Sequence, residues 1–370
     1  MSDRLSVLVL TPDYPPAPGG IQLLVHRLVT NAGRLDARVV TLDSPRAAEF
    51  DAADGGDVRR VRRQGWSHRA DILALNARAM IEGVRFRPEA VLSGHIVVSP
   101  AAAAISSLLR VPMVQYLHAK ELGTKPELAR FAVKRAQATI AVSRHTEQLA
   151  LDVGADPARV HRIPPGVDVP AAHGDTRADR SPVIVTIARM EDRHKGHDVM
   201  VRAMSLVTSS VPDAHWVVIG DGPLRPSIER LVAAHGLEGH VTFTGSVSDA
   251  ERDDWLGRAR VFAMPSRLPG GRVGGEGFGI VYMEASARGL PVVGGNVGGA
   301  LDAVIHDETG YLVDPTNHVE VAEAITALLC DTDRADALAR AGRTRAEHMT
   351  WPTIASAFES VLLPLAGRSA

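Results

Sequence analysis

The sequence has little cysteine and almost no net charge. Its 370 residues include a single cysteine, Cys330, so no disulfide can form within the chain, as is usual in reducing compartments. Lys and Arg total 41 against 43 Asp and Glu, which gives a net charge of −2. A chain so balanced is not expected to bind nucleic acid. With 45% hydrophobic and 23% charged residues, the composition is that of a globular protein, and we predict a cytoplasmic one.

Long apolar runs are also missing. The first apolar segment, LSVLVL (5–10), is too short for the core of a signal peptide and runs into Pro12. The longest candidate for a membrane span, residues 97–109, is interrupted by Pro100 and contains serines. The sequence therefore predicts neither a signal peptide nor a transmembrane helix.

Familiar metal and dinucleotide motifs are absent as well. His194 and His197 flank Lys195, but they lack a Cys or HExxH partner, so no metal site is predicted. The loops TPDYPPAPGGIQ (11–22) and GGNVGG (294–299) follow predicted strands but lack the GxGxxG spacing of a dinucleotide fingerprint. Each can be a phosphate-binding loop or a simple tight turn.

Short apolar runs alternate with helical patterns along the chain, which predicts parallel strands covered by helices on both faces. The predicted strands are 6–10, 37–42, 90–94, 112–117 and 138–143, followed by 183–189, 215–222, 241–245, 260–266, 291–295 and 310–313. Between the two groups, residues 163–182 are rich in proline and charge, as in a linker.

This pattern predicts an α/β protein of two doubly wound domains, residues 1–170 and 171–350. Residues 351–370 are expected to form a helix that packs back on the first domain. The chain length also exceeds what one core usually serves. Ligands of such sheets bind at the carboxyl ends of strands, and clefts between domains are favoured sites.

The segment GEGFGIVYMEASARGLPVV (275–293) places Glu276 and Glu284 around the predicted start of a helix near Phe278. A helix N-terminus binds anions through its free amides, whereas carboxylates accept hydrogen bonds from hydroxyl groups. A nucleotide-diphosphate sugar, with its diphosphate between two hydroxylated groups, suits both. The alternative is that Glu276 only complements the helix dipole and that Glu284 is a solvated helix residue.

Candidate cations lie in the loop that follows the first strand of the second half. Arg189 can grip a phosphate bidentately, and Lys195 can act as a compact charge. His118 follows strand 112–117 at its carboxyl end and can hydrogen-bond a sugar or a reacting oxygen. The alternatives are a solvated charged loop and a structural histidine.

Taken together, these motifs resemble the retaining glycosyltransferases of family 4, which have the GT-B architecture of two Rossmann-like domains with a cleft between them. The resemblance covers nearly the whole chain. It rests on Gly19-Gly20, His118, PPGVD (164–168), Arg189, Lys195, IGDGP (219–223), GEGFGIVYMEA (275–285) and GYLV (310–313). Within the family, GGEGFGIVYMEASARGLPVVGG (274–295) is most similar to bacterial phosphatidylinositol-mannoside-type mannosyltransferases.

The resemblance implies a role for each matching position. Arg189 and Lys195 would hold the donor diphosphate and stabilise the leaving group. Glu276 would contact the donor sugar, Glu284 would bind ribose, and His118 would lie near the sugar and the acceptor. The other implied donor-binding residues are Gly19, Gly20, Val247 (beside the base), Gly277, Phe278, Gly279 and Ile280. The resemblance further implies hexosyl transfer with retention from GDP-mannose or a UDP-hexose, with no metal and no other cofactor.

Two basic clusters in the first domain bear on the acceptor. They are Arg59, Arg60, Arg62 and Arg63 beside Trp66, and Lys120, Lys125, Arg130, Lys134 and Arg135 after His118. The resemblance implies that this domain binds a hydroxyl acceptor, a lipid or a small glycan, and contacts an anionic membrane surface. The alternative is a solvated charged face. Two rival functions stay open: a GT-B-like nucleotide-sugar epimerase or hydrolase, and a non-catalytic nucleotide-sugar-binding subunit.

Overall fold

A computed structural model describes residues 4–63, 65, 67–171, 181–268 and 275–367. The chain forms two compact units, one of Met1–Gly166 with Trp351–Ala370 and one of Val167–Thr350. Trp66 of the first basic cluster and residues 172–180 of the expected linker lie outside the described residues.

The first unit is built on a parallel sheet. Its strands are β1 (Leu5–Leu10), β2 (Leu35–Leu42), β3 (Asp57–Val61), β4 (Ala90–Ser93), β5 (Met113–Leu117), β6 (Ala138–Ala141) and β7 (Val160–Arg162). Their order in the sheet is β3-β2-β1-β4-β5-β6-β7. The sequence analysis missed β3 and β7, because these edge strands are only partly buried and lack a long apolar run.

Helices connect these strands. They are α1 (Gly20–Asn31), α2 (Ala47–Asp54), α3 (His68–Phe86), α4 (Ser99–Leu109), α5 (Ala119–Thr124), α6 (Pro126–Arg135) and α7 (Arg144–Asp152). The strands between them are rich in Val, Leu and Ile, as expected for a sheet covered on both faces, and β4, β5 and β6 are buried along their whole length. The loop that carries His118 therefore follows a strand, β5, that is buried along its whole length.

The second unit repeats this design. Its strands are β8 (Val183–Ile187), β9 (His215–Ile219), β10 (Val241–Gly245), β11 (Val261–Met264), β12 (Val292–Gly295) and β13 (Gly310–Val313). They are parallel, in the order β10-β9-β8-β11-β12-β13. Each unit thus has the strand order of a Rossmann-like sheet, and the predicted fold class is confirmed. The order reverses between β1 and β4 in the first sheet and between β8 and β11 in the second, which is where such folds bind ligands.

The helices of the second unit surround a core with Trp216 at its centre. They are α8 (His197–Ser210), α9 (Arg225–Ala234), α10 (Asp249–Arg258), α11 (Ile280–Ala287), α12 (Ala300–Ala303), α13 (His318–Cys330) and α14 (Thr332–Glu347). The final helix, α15 (Trp351–Leu365), belongs to the first unit. It packs against α1, and Glu359 accepts a hydrogen bond from the backbone of Arg34 at 2.7 Å.

None of the described helices combines the length and the apolarity needed to cross a bilayer.

Candidate functional site

The point where strand order reverses in the second sheet brings two predicted loops together. One loop follows β8 and carries Arg189 and Lys195, and the other follows β11 and carries Glu276. Because β8 and β11 are parallel neighbours, their carboxyl ends meet at one edge of the sheet. The backbone N–H of Arg267 donates to the carbonyl of His194 at 2.7 Å and ties the two loops directly.

The centre of this edge is an ion pair between Lys195 Nζ and Glu276 Oε2. The two side chains are 18% and 16% exposed, so both charges are largely shielded from water. Burial alone would raise the pKa of Glu276, but the adjacent Lys195 ammonium, together with His194 and Arg189, outweighs burial and holds that pKa below its usual value. The sequence assigned these residues to different parts of a ligand and did not predict their direct contact.

Arg189 stands at the outer side of the same site. Its side chain is 63% exposed, and its Nη1 lies 3.1 Å from Glu191. Its positive charge also contributes to the lowered pKa of Glu276, after the larger effects of burial and Lys195. Arg189 is therefore a largely exposed cation at the site, and its ion pair with the exposed Glu191 contributes little to stability.

Glycines shape the loop around Glu276. Helix α11 begins at Ile280, two residues later than predicted, because Gly279 adopts a left-handed conformation (φ 89°) that ends the loop. A Cβ on Gly279 would lie 2.4 Å from the ring of Tyr282. Phe278 is 3% exposed, so its side chain anchors the loop in the core.

Tyr282 is a structural residue that the sequence analysis missed. Its ring is fully buried beneath Gly279, and its hydroxyl lies 2.8 Å from Ser266 Oγ and donates to the carbonyl of Met264 at 2.7 Å. The hydroxyl links the first turn of α11 to the end of β11. A buried Tyr usually needs such partners, so a tyrosine among the apolar residues at the start of this helix was the available signal.

The second glycine loop, residues 294–299, packs against the first. The N–H of Gly299 donates to the carbonyl of Glu276 at 2.8 Å, and a Cβ on Gly299 would lie 2.1 Å from the carbonyl oxygen of Gly277. This loop therefore does more than make a tight turn, because it supports the backbone of Glu276 and Gly277.

Glu284 lies on α11, inside the unit rather than in solvent. It is 7% exposed, which excludes the alternative of a solvated helix residue. Burial raises the pKa of its carboxyl group, and the positive charges of Arg252 and Arg288 offset part of that effect. Arg252 Nη1 lies 3.6 Å from Glu284 Oε1. Arg252 comes from α10, just after the half-buried Val247, and the sequence analysis did not single it out.

In the first unit, His118 directly follows β5 and precedes α5. The residue is 8% exposed, and burial lowers the pKa of its imidazole, although the hydrogen bond between its Nε2 and the carbonyl of Gly94, at 3.0 Å, offsets part of that effect. Its backbone N–H donates to Glu121, which also pairs with His95 at 2.9 Å. Burial would lower the pKa of His95, but the Glu121 carboxylate raises it. His95 and Glu121 are neighbours of His118 that the sequence analysis missed.

Gly19 and Gly20 lie at the same edge of the first sheet, at the start of α1. Gly19 has φ 152°, and a Cβ there would lie 2.2 Å from Gln22 Oε1, so the loop requires glycine. Helix α1 begins at Gly20.

In the basic cluster at 59–63, Arg59 and Arg60 are both ion-paired with aspartates. Arg60 lies in β3 with its side chain 10% exposed and 2.7 Å from Asp51, and Arg59 pairs with Asp57 at 3.0 Å. The interpretation of Arg60 as part of an exposed patch is wrong, because strand pairing turns it toward Asp51. The second cluster, on α5 and α6, is exposed, although Arg130 pairs with Glu127.

Within the part of the chain that the structure describes, no group of three or more His, Cys, Asp or Glu side chains is arranged to hold a metal ion.

Comparison with known proteins gives concordant matches in both units. Residues 18–170 match the family described as Glycosyltransferase Family 4, and residues 171–345 match Glycosyl transferases group 1. The chain is 33% identical to a GDP-mannose-dependent alpha-(1-6)-phosphatidylinositol monomannoside mannosyltransferase of Mycobacterium tuberculosis (strain ATCC 25618 / H37Rv), over 95% of this chain and 96% of the relative. It is 30% identical to a GDP-mannose-dependent monoacylated alpha-(1-6)-phosphatidylinositol monomannoside mannosyltransferase of Corynebacterium glutamicum, over 98% and 99%.

Solved structures agree on the fold. Anabaena Alr3699/HepE, crystallised with UDP and glucose, superposes with a TM-score of 0.80 at 21% identity, covering 97% of this chain and 99% of that one. A sucrose-phosphate synthase from Thermosynechococcus elongatus gives a TM-score of 0.81 at 21% identity, covering 99% and 100%. At these identities the likeness concerns the fold alone.

Proposed function

Because this chain belongs to the family of group 1 and family 4 glycosyltransferases, we propose that it transfers a mannosyl group from GDP-mannose to a hydroxyl of a mannosylated phosphatidylinositol. The proposed donor and acceptor follow those named for the relatives at 30–33% identity. A UDP-hexose is the alternative donor. The observation that carries the proposal is the Lys195–Glu276 pair at the point of strand-order reversal, where a cation lies beside a carboxylate that can accept hydrogen bonds from sugar hydroxyls.

Lys195 and Arg189 act on the diphosphate in this proposal. As the bond from the sugar to phosphate breaks, negative charge grows on the leaving nucleoside diphosphate. A preorganised ammonium and a guanidinium stabilise that charge more in the transition state than in the ground state. The positive charge of these two side chains supports transfer without a metal ion, which we include in the proposal.

Glu276, Glu284 and the start of α11 bind the rest of the donor. Glu276 accepts hydrogen bonds from sugar hydroxyls, and the buried Glu284 accepts them from ribose, beside the base at Val247. The backbone amides of Gly277–Ile280 serve the phosphate and sugar, since a helix N-terminus favours anions.

We further propose that the anomeric configuration is retained. The acceptor oxygen attacks the anomeric carbon on the face from which the phosphate departs. The bond from the anomeric carbon to the phosphate oxygen breaks with its electron pair going to that oxygen, which takes the acceptor's proton. Such a path needs no carboxylate nucleophile, in keeping with a Glu276 already engaged by Lys195.

The acceptor and the membrane belong to the first unit in this proposal. His118, at the carboxyl edge of its sheet, contacts the acceptor side of the reaction, whereas Gly19 and Gly20 serve donor binding. The exposed basic residues of α5 and α6 make peripheral contact with anionic lipid, at about 1 kcal/mol for each side chain near the surface. This cluster, rather than Arg60, is the membrane-facing candidate.

The test begins with the donor. Purified protein is screened by thermal shift against GDP-mannose, UDP-glucose and UDP-N-acetylglucosamine, since a ligand present at 100 times its Kd stabilises the fold by about 2.7 kcal/mol. The stabilising donor is then incubated with vesicles that contain a phosphatidylinositol monomannoside, and the anomeric configuration of the product is determined by NMR. Transfer with retention of configuration is expected.

Lys195→Ala is the matched control. It should lower kcat on the order of 10²-fold or more, as loss of a preorganised electrostatic contact does. Consumption of donor at the same rate with and without acceptor would indicate a hydrolase or epimerase instead. Donor binding with no turnover would indicate a non-catalytic subunit.

A further inference from the structure

Arg267 holds the chain on both sides of Lys195. Its backbone N–H donates to the carbonyl of His194 at 2.7 Å, one residue before Lys195. Its Nη2 lies 3.0 Å from both carboxylate oxygens of Asp198, three residues after Lys195. The Arg267 and Asp198 side chains are 20% and 21% exposed, so these charge-assisted bonds are partly shielded from water.

The segment that follows β11, residues 265–268, also supports the loop of Glu276. A Cβ on Gly275 would lie 2.7 Å from the Leu268 side chain and 3.2 Å from the carbonyl oxygen of Arg267, so the residue before Glu276 rests on this segment. On the other side, a Cβ on Gly196 would lie 2.3 Å from the carbonyl oxygen of Pro265. Residues 265–268, directly after β11, therefore contact both the loop of Lys195 and the loop of Glu276.

We propose that Arg267 and Asp198 form a positioning pair that sets the Lys195 ammonium against Glu276 and aims it at the donor diphosphate. Lysine has a flexible four-carbon stem, so the place of its ammonium depends on how firmly its backbone is held. Asp198 also lies in the first turn of α8, where a carboxylate is favoured by the helix dipole. The inference rests on the proposed function, in which Lys195 stabilises the leaving group.

A double-mutant cycle tests the pair through Lys195. Arg267→Met should lower kcat by about tenfold to a hundredfold in the wild-type background, because a displacement of about 1 Å at a reacting centre has effects of that size. In the Lys195→Ala background the same substitution should cause no further loss, since there is no ammonium left to position. The nucleoside diphosphate should also bind more weakly to Arg267→Met than to wild type by calorimetry. A purely structural role would lower kcat by the same factor in both backgrounds.

Asp307→Asn is the matched control. It removes an ion pair of the same length, 3.0 Å to Arg334, in the same unit. Asp307 precedes β13 and therefore lies at the opposite edge of the sheet from the site. Its kcat should equal that of wild type. Arg267→Lys should restore most of the activity lost in Arg267→Met, because one nitrogen makes both contacts to Asp198 and a lysine ammonium can replace it.

Asp198→Asn, a nearly isosteric change, is measured in the same two backgrounds, wild type and Lys195→Ala. It tests the positioning pair if Arg267→Met does not fold. Equal losses in both backgrounds, or an unchanged kcat for Arg267→Met and Asp198→Asn, would overturn the inference. A Lys195→Ala enzyme with normal kcat would overturn the proposed role of Lys195, and the inference with it. That failure is distinguishable, because it is seen without any change at Arg267 or Asp198.

Discussion

Glu276→Gln should tighten the binding of a free nucleoside diphosphate while it slows transfer. Lys195 is ion-paired with Glu276 in the free protein, so a diphosphate competes with the carboxylate for the same ammonium. Glutamine keeps the size of the side chain and one acceptor oxygen but removes the charge. Lys195 can then turn to the phosphate without giving up an ion pair.

The size of the effect follows from the exposure of the pair. With side chains 18% and 16% exposed, the pair exceeds a typical surface ion pair but is still reached by water, so we take about 1 kcal/mol, the upper end for exposed pairs. This free energy corresponds to about fivefold tighter binding of the nucleoside diphosphate. The sugar, in contrast, loses a hydrogen bond to a charged group, about 1.5–3 kcal/mol. If that bond is made mainly in the transition state, kcat falls roughly tenfold to a hundredfold.

Calorimetry with GDP and UDP, beside steady-state kinetics, measures both effects. Glu284→Gln is the comparison, because Glu284 is proposed to bind ribose, which does not change during the reaction. It should weaken the nucleoside diphosphate by about tenfold and raise the donor KM, with little effect on kcat. If Glu276→Gln weakens the free nucleotide as much as Glu284→Gln does, the proposed division of labour between the two carboxylates is wrong.

Three further outcomes are expected. Because burial raises the pKa of Glu284, the protein loses stability as the pH rises from the ordinary carboxyl pKa through that raised value, so Glu284→Gln should increase Tm more at pH 7 than at pH 4. Equal increases at both pH values would contradict this account. Tyr282→Phe removes the contacts of a buried hydroxyl with Ser266 and Met264 and should lower the free energy of unfolding by about 1–3 kcal/mol, and an unchanged urea midpoint would show that they contribute nothing. Transfer should continue in excess EDTA, because Lys195 and Arg189 supply the positive charge, and complete loss restored by Mg²⁺ would count against a metal-independent enzyme.

Much of the fold could be predicted, because a short apolar run in the sequence indicates a buried strand. Strands buried on both faces must be apolar along their length, and the predicted strand at 310–313 agrees with β13 to the residue. The edge strand β3 escaped because its sequence, DVRRV, carries charges that an edge position tolerates. The sequence predicted the start of α11 two residues too early. The apolar residues suggest a helix from Phe278, but Gly279 has a left-handed conformation, so the helix begins only at Ile280.

The sequence by itself determined the strand–helix alternation, the need for glycine around Glu276, and the residue types that could serve a nucleotide sugar. These properties depend on neighbours within a few positions. Only the tertiary structure decided that Lys195 meets Glu276, 81 positions away, that Arg267 holds the chain on both sides of Lys195, and that Arg60 faces Asp51 instead of solvent. The physical reason is that a charge in a sequence has no partner until strand order brings distant loops to one edge of a sheet, and the partner then sets its exposure and its pKa.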